Sequence, residues 1–226
     1  MRMRKKKRLE ERLAAVSDIL FTGVPEDKNV KIAISKKEYL NLEEWFGNSN
    51  EVFLEIGCGK GKFACEFAKA HPEINLLAVE KCGNVLVTAC ETAKKMGLNN
   101  LKFIKCGAEY LPKYLNEQSI GRIFLNFSCP YPKNSYANQR LTHERFLEVY
   151  KTLLKPQAEI HQKTDNMHFF EYSIESLSRA GFILKNISLD LHNSGFEGNI
   201  ETEYEQKFAS LGQPIYRLEA FFGGKR

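Results

Sequence analysis

The stretch Glu55-Ile56-Gly57-Cys58-Gly59-Lys60-Gly61 decides the fold. It ends the apolar run VFLEIG (52–57) and opens a helical pattern from Lys60 to Ala70, so its glycines fall at a strand-to-helix turn. Glycines at such a turn let the backbone bend sharply and approach a ligand without a Cβ in the way. On the C-terminal side the alternation repeats. NLLAVE (75–80) leads into a helix from about Asn84 to Met96, and LKFIKC (101–106) is followed by GRIFLNF (121–127). Next come a helix over 141–155, a strand near AEIHQKT (158–164), a helix over 167–181, and the runs FILKNISLDL (182–191) and IYRLEAFF (215–222) with helical TEYEQKFASL between them. Strand alternating with helix means parallel pairing, and the last strands lack room for an ordinary crossover, which predicts an antiparallel pair at the C-terminal end. The pattern predicts seven strands of an α/β protein.

The glycine loop matches neither common phosphate-binding loop. Walker A needs four residues between its glycines and then Lys-Ser/Thr, whereas three separate Gly57 from Gly61 and Phe63 follows Lys62; the dinucleotide G-x-G-x-x-G fails at Lys62. A ligand with an adenosine and no phosphate remains, for which E-x-G-x-G-x-G is the familiar methyltransferase pattern. Glu80 ends the following strand, where a carboxylate can accept from both ribose hydroxyls. Glu55, Glu80, the segment Cys106-Gly107-Ala108-Glu109 and the segment Asn126 to Tyr131 all fall at strand ends along the carboxyl edge of one sheet. Open α/β sheets bind ligands at that edge.

Composition narrows the classes. In 226 residues, 43% are hydrophobic and no run approaches the roughly 20 apolar residues of a membrane span. The N-terminus lacks the apolar segment of a secretory signal, which predicts a soluble, cytoplasmic protein. The six cysteines form neither C-x-x-C nor a Cys/His cluster at zinc spacing, so no metal and no disulfide framework is expected. The net charge of +5 sits wholly in residues 1–13, where seven basic residues face Glu10 and Glu11. Such an arm attracts a polyanion in a salt-dependent way, or serves only as a solvated tail. Residues 1–25 are therefore expected to form an arm with one short helix through Leu9, Leu13, Val16 and Leu20, leading to a loop at Gly23 and Pro25, and 26–226 the main folded domain.

With EIGCGKGKF (55–63), Glu80, NFSCPYPK (126–133), QRLT (139–142), KTDN (163–166), DLHNS (190–194) and TEYEQKF (202–208), followed by Gly212 and Ile215-Tyr216, the sequence resembles the bacterial tRNA (guanine-N7-)-methyltransferase family over most of residues 50–222. The resemblance implies a class I methyltransferase (Rossmann-like) fold, with a mostly parallel seven-stranded sheet, helices on both faces and the antiparallel C-terminal pair. It also implies S-adenosylmethionine as cofactor, tRNA as partner, N7 of a variable-loop guanine as target, and a monomer or homodimer. Carried over by position, Glu55, Gly57, Gly59, Glu80, Gly107, Ala108 and Cys129 would bind the cofactor. Cys129 and Asp165 would be catalytic, and Lys133, Asp165, Thr202, Glu203, Tyr204 and Glu205 would bind substrate. Ser135, Tyr136, Ala137, Asn138, Gln139 and Arg140 would contact the RNA.

Three departures from the family pattern are visible. The segment usually read N-F-S-D-P-W-P-K has Cys129 and Tyr131 in place of the aspartate and tryptophan; a second family aspartate, facing adenine, aligns with Gly107; and 135–140 is less basic than usual. Guanine N7 carries a lone pair and no proton, so methylation there needs positioning more than a base. A neutral Cys129 lacks an anion's field, which predicts a slower enzyme, and a small packing residue is its expected role. Two other readings exist: a diverged protein that binds tRNA or cofactor without turnover, and an amino-group (adenine) methyltransferase, whose S/N/D-P-P-Y loop Ser128-Cys129-Pro130-Tyr131 partly resembles. On local grounds alone, Asp165 reads as a helix N-cap, Thr202 with Glu205 as a capping box, and His143, His161, His168 and His192 as structural or surface residues.

Overall fold

A computed structural model describes residues 6–23 and 29–223. Chain contacts group them into two compact units, divided between Asn116 and Glu117.

The first unit holds α1 (Leu9–Ala14), β1 (Leu20–Thr22), α2 (Val30–Ser35), α3 (Leu42–Phe46), β2 (Val52–Ile56), α4 (Lys62–Ala70), β3 (Asn75–Val79), α5 (Gly83–Met96), β4 (Leu101–Lys105), a 3-10 turn (Ala108–Tyr110) and α6 (Leu111–Tyr114). Its strands are parallel in the order β1-β4-β3-β2. Every residue of β2 and β3 is buried, as a parallel sheet covered on both faces requires. Strand β1 was not anticipated. Leu20, expected to continue the first helix, pairs instead with Phe103, because α1 stops at Ala14 and the chain turns to add a three-residue edge strand beside β4. Leu9, Leu13 and Val16 are buried and α1 packs on α5, so this segment is part of the unit's core. Pro25, expected in the following loop, lies outside the described residues, as do Arg2, Arg4 and Lys5 of the basic arm.

Gly61 shows why the loop must end in glycine. It caps α4 at φ 80°, and a Cβ there would lie 2.5 Å from Ala89 Cβ and 3.0 Å from Ala89 Cα on α5. Gly61→Ala therefore combines left-handed strain with overpacking against backbone, and is expected to cost about 2–4 kcal/mol in a urea melt. A loss below about 1 kcal/mol would mean that the helices separate easily at this point.

The second unit holds β5 (Ile120–Asn126), a 3-10 turn (Asn134–Gln139), α7 (Glu144–Leu153), β6 (Leu154–Thr164), α8 (Met167–Arg179), β7 (Phe182–Ser188), a 3-10 turn (Leu191–Asn193), α9 (Glu203–Ser210) and β8 (Tyr216–Phe222). Its strand order is β5-β6-β8-β7; β5 and β6 are parallel, and β8 runs antiparallel to both β6 and β7, as expected. The described residues thus hold eight strands, one more than predicted. Helix α7 ends before 155 because Leu154 already pairs with Ile120, after which the register jumps to Arg122 opposite Glu159 and residues 155–158 loop out around Pro156. The run 182–191 ends as a strand at Ser188, past a bulge at Asn186, whose φ is 49°.

One polar cluster lies across β6 and β8. Ligand atoms of Glu159, His161 and Glu219 fall within 4.8 Å of one another, but the carboxylates already pair with Lys185, Arg217 and Arg122 (3.5 Å to Glu159). Burial, aided by Arg122, pushes the His161 imidazole down from 6.5 to about 4, even though Nε2 lies 2.7 Å from Glu159 Oε2. The imidazole is neutral in the fold, so its contribution is complete above pH 6.5 and is lost as pH falls toward 4, by at most about 3 kcal/mol. His161→Gln should flatten the pH dependence of the melting temperature in that window; an unchanged slope would assign the acid sensitivity to other groups.

Candidate cofactor and substrate sites

At the carboxyl edge of the first unit, Val79 O accepts from the N–H groups of Gly57 (2.8 Å) and Cys58 (3.1 Å), drawing the glycine loop over the end of β3. Gly57 and Gly59 have φ of 84° and 56°. A Cβ on Gly59 would meet no atom within 4 Å, so this glycine leaves open space, unlike Gly61. Glu80 follows β3. Its Oε2 accepts from Gly59 N–H at 3.3 Å and its Oε1 from Cys82 N–H at 2.8 Å. A carboxylate offers about four acceptor directions, so two backbone donors fix Glu80 and leave capacity for a diol. Glu55 is buried one residue from the end of β2. Gly107 and Ala108 lie in the turn after β4, Gly107 in ordinary extended backbone at φ −77°.

Burial pushes the Cys58 thiol up, and those of Cys65, Cys90 and Cys106 up to about 12, so these buried thiols stay protonated. The described arm residues are partly occupied. The Arg12 guanidinium donates to both oxygens of Glu91 on α5 (2.7 and 2.6 Å), and Lys6 bonds Asn84 and Thr88; Lys7 and Arg8 are exposed.

In the second unit, β5 ends in a loop held under backbone strain. Phe127 (φ 49°) and Tyr131 (φ 41°) are both left-handed, a state costly for such side chains. The Phe127 N–H donates to Lys163 O at 2.8 Å. Arg140 is turned inward, contrary to its expected place along the RNA. Only 8% exposed, its Nε donates to Pro130 O (3.0 Å) and its Nη2 to Tyr131 O (3.0 Å), with the guanidinium 4.3 Å from the Tyr172 ring centre. Residues that look like an RNA-facing run thus include one that braces the loop. Ser135, Tyr136, Asn138, Gln139 and Lys133 are exposed, and Ala137 is half-buried. Cys129 is exposed, which corrects its expected packing role: the loop turns it away from any core.

After β6, the cap of α8 is Asn166, whose Oδ1 accepts from Phe169 N–H at 2.8 Å. Asp165, expected as that cap, leaves its half-buried carboxylate bonded to no other described residue, and burial raises its pKa. Thr202 and Glu205 form the expected capping box, but Glu205 does more. It is fully buried; Oε2 accepts from Lys163 Nζ (2.6 Å), and Oε1 accepts from Asn199 Nδ2 (2.6 Å) and lies 3.2 Å from His192 Nε2. Lys163 Nζ also donates to Asn199 Oδ1 and Ile200 O. Glu205 is therefore an anchor between β6 and α9, and buried Thr202 is its cap, while Glu203 and Tyr204 are exposed. The Tyr204 ring stands nearly parallel to Phe127 and Phe208, with centres 6.3 to 6.5 Å apart. That ring cluster is not foreseen from the sequence; its trace there is the four-residue spacing of Tyr204 and Phe208, which puts both rings on one face of α9.

A glycine loop and ribose-type carboxylate on one parallel sheet, with an antiparallel C-terminal strand pair, define a class I S-adenosylmethionine-dependent methyltransferase fold. Solved structures agree. The 16S rRNA methyltransferase KamB aligns at TM-score 0.61 and 18% identity over 82% of this chain and 95% of its own, and an S-adenosylmethionine-dependent methyltransferase of Aquifex aeolicus at 0.56 and 16% over 80% and 87%. The family model described as "Putative methyltransferase" matches residues 49–218. The tRNA (guanine-N(7)-)-methyltransferase of Macrococcus caseolyticus is 46% identical over 98% of this chain and all of that protein; that of a Geobacillus species is 43% identical over 100% and 97%. The chain belongs to the bacterial tRNA (guanine-N7-)-methyltransferase family.

Proposed function

We propose that this chain transfers a methyl group from S-adenosylmethionine to N7 of a guanine in tRNA, acting in the cytoplasm. The observation that carries the reading is the end-to-end relationship to proteins of that name, at 46% identity across 98% of the chain. The residues fit the cofactor: Gly59 offers a space that any side chain would fill, and Glu80 is fixed by two backbone donors with acceptor capacity left for a ribose. When bound, S-adenosylmethionine supplies an electrophilic sulfonium methyl.

The chain's own task is then positioning. Guanine N7 needs no proton removed, so the carboxylates serve to hold the base and to stabilise the positive charge that develops on it. Asp165 and Glu203 supply the carboxylates that accept from the guanine N1–H and exocyclic amine, and the burial that raises the Asp165 pKa strengthens its bonds. Tyr204, 57% exposed, offers a face on which a base stacks, worth about 1–3 kcal/mol. Lys133 and the exposed residues of 135–139 lie along the RNA, and Lys7 and Arg8 add charge that faces solvent.

Incubation with labelled S-adenosylmethionine and bulk tRNA, followed by nucleoside analysis, should yield N7-methylguanosine. Methylated adenine without it would favour the amino-group reading, and cofactor binding without any methylated nucleoside would favour a binding protein.

A further inference from the structure

The turn after β4 holds a carboxylate in an unexpected place. Tyr110 N–H donates to Gly107 O at 3.1 Å, closing the 3-10 turn and folding Glu109 back over the chain. A Cβ placed on Gly107 would lie 2.6 Å from Glu109 Oε2, 2.9 Å from its Cδ and 3.2 Å from Oε1. The carboxylate therefore occupies the volume that a side chain at 107 would fill. At φ −77° and ψ 149° the backbone does not require glycine at 107, so what the glycine provides is room. Glu109 is half-buried, and its oxygens bond to no donor among the described residues. Its charge is close enough to Cys106 to reinforce the effect of burial on that thiol.

The location indicates what such a carboxylate is for. Strands β3 and β4 are parallel neighbours, with Val79 opposite Ile104 and Glu80 N–H donating to Ile104 O at 3.1 Å. Glu80 and the Gly107 turn thus follow adjacent strand ends on one edge, about 4.8 Å apart in strand spacing. A nucleoside whose ribose is held by Glu80 has its base directed past one of the neighbouring strand ends. Adenine presents two N–H donors at its exocyclic amine, whereas a 6-oxo purine presents a lone pair that an anion repels.

We propose that Glu109 is the specificity-determining residue for the cofactor's base, its carboxylate standing at Gly107 and accepting from the adenine amine. This rests on the cofactor assignment made above, and the test separates the two. Calorimetry on the full chain uses S-adenosylhomocysteine and its inosine counterpart. The wild type should prefer the adenosine form by about ten- to a hundredfold, the scale of a hydrogen bond to a charged group. Glu109→Ala should lose that preference, mostly by weakening the adenosine form. Gly107→Asp in the Glu109→Ala background should restore it, since the space is then vacant and the backbone accepts an aspartate. If Glu109→Ala does not fold, Glu109→Gln provides the same comparison with the shape kept and the charge removed. A variant lacking the Glu109 charge that still discriminates as the wild type does would overturn the proposal, as would a wild type that binds both forms equally. A wild type that binds neither would instead overturn the cofactor assignment, and this proposal with it.

Discussion

Lys163→Met is expected to lower stability by about 3–5 kcal/mol, the usual cost of leaving one partner of a buried ion pair without the other. Glu205 is fully buried and Lys163 nearly so, so water cannot replace the missing ammonium. In addition to Glu205 Oε2 at 2.6 Å, the lysine holds Asn199 Oδ1 at 3.0 Å and Ile200 O at 2.8 Å, so the loop before α9 loses its attachment to β6 at the same time. For a chain of this length the loss corresponds to a melting temperature lower by about 10 °C. Since α9 also carries Glu203 and Tyr204, KM for tRNA should rise in the folded fraction. A melting temperature within about 2 °C of the wild type would show that the pair does not anchor the helix.

Cys129→Asp is expected to raise the rate of methyl transfer, on the order of a hundredfold, with little change in stability. A preorganised electrostatic group commonly contributes about 3–4 kcal/mol to a transition state that gains charge, and a neutral thiol supplies none of it. Cys129 is exposed on a loop already held in shape by Arg140, so an aspartate there meets no packing obstacle. Single-turnover measurements with saturating cofactor would separate this effect from binding. A folded variant no faster than the wild type would count against the role assigned to position 129.

Much of this was legible in the chain itself. Apolar runs bounded by glycine and charge locate seven of the eight strands to within a few residues, because a strand buried on both faces must be apolar almost throughout. Strand β1 escaped because three residues at a sheet edge carry no period of their own and take their conformation from pairing with Phe103 to Lys105. The ends of α7 and β7 moved for a similar reason, since strand pairing and a bulge overrode a helical or extended pattern that continued past them.

The sequence by itself determined the family, the order of elements and which glycines and carboxylates fall at strand ends, because these follow from spacing along the chain. Only the tertiary structure decided what each polar side chain does there. Thr202, Glu205 and Arg140 read like ligand contacts, yet Arg140 braces a strained loop and Glu205 a helix, while Asp165 keeps its carboxylate and Glu109 takes the space at Gly107. The reason is that a side chain's role depends on which donors and acceptors surround it in space. Residues 42 positions apart, such as Lys163 and Glu205, come within 2.6 Å only once the sheet and helices have packed.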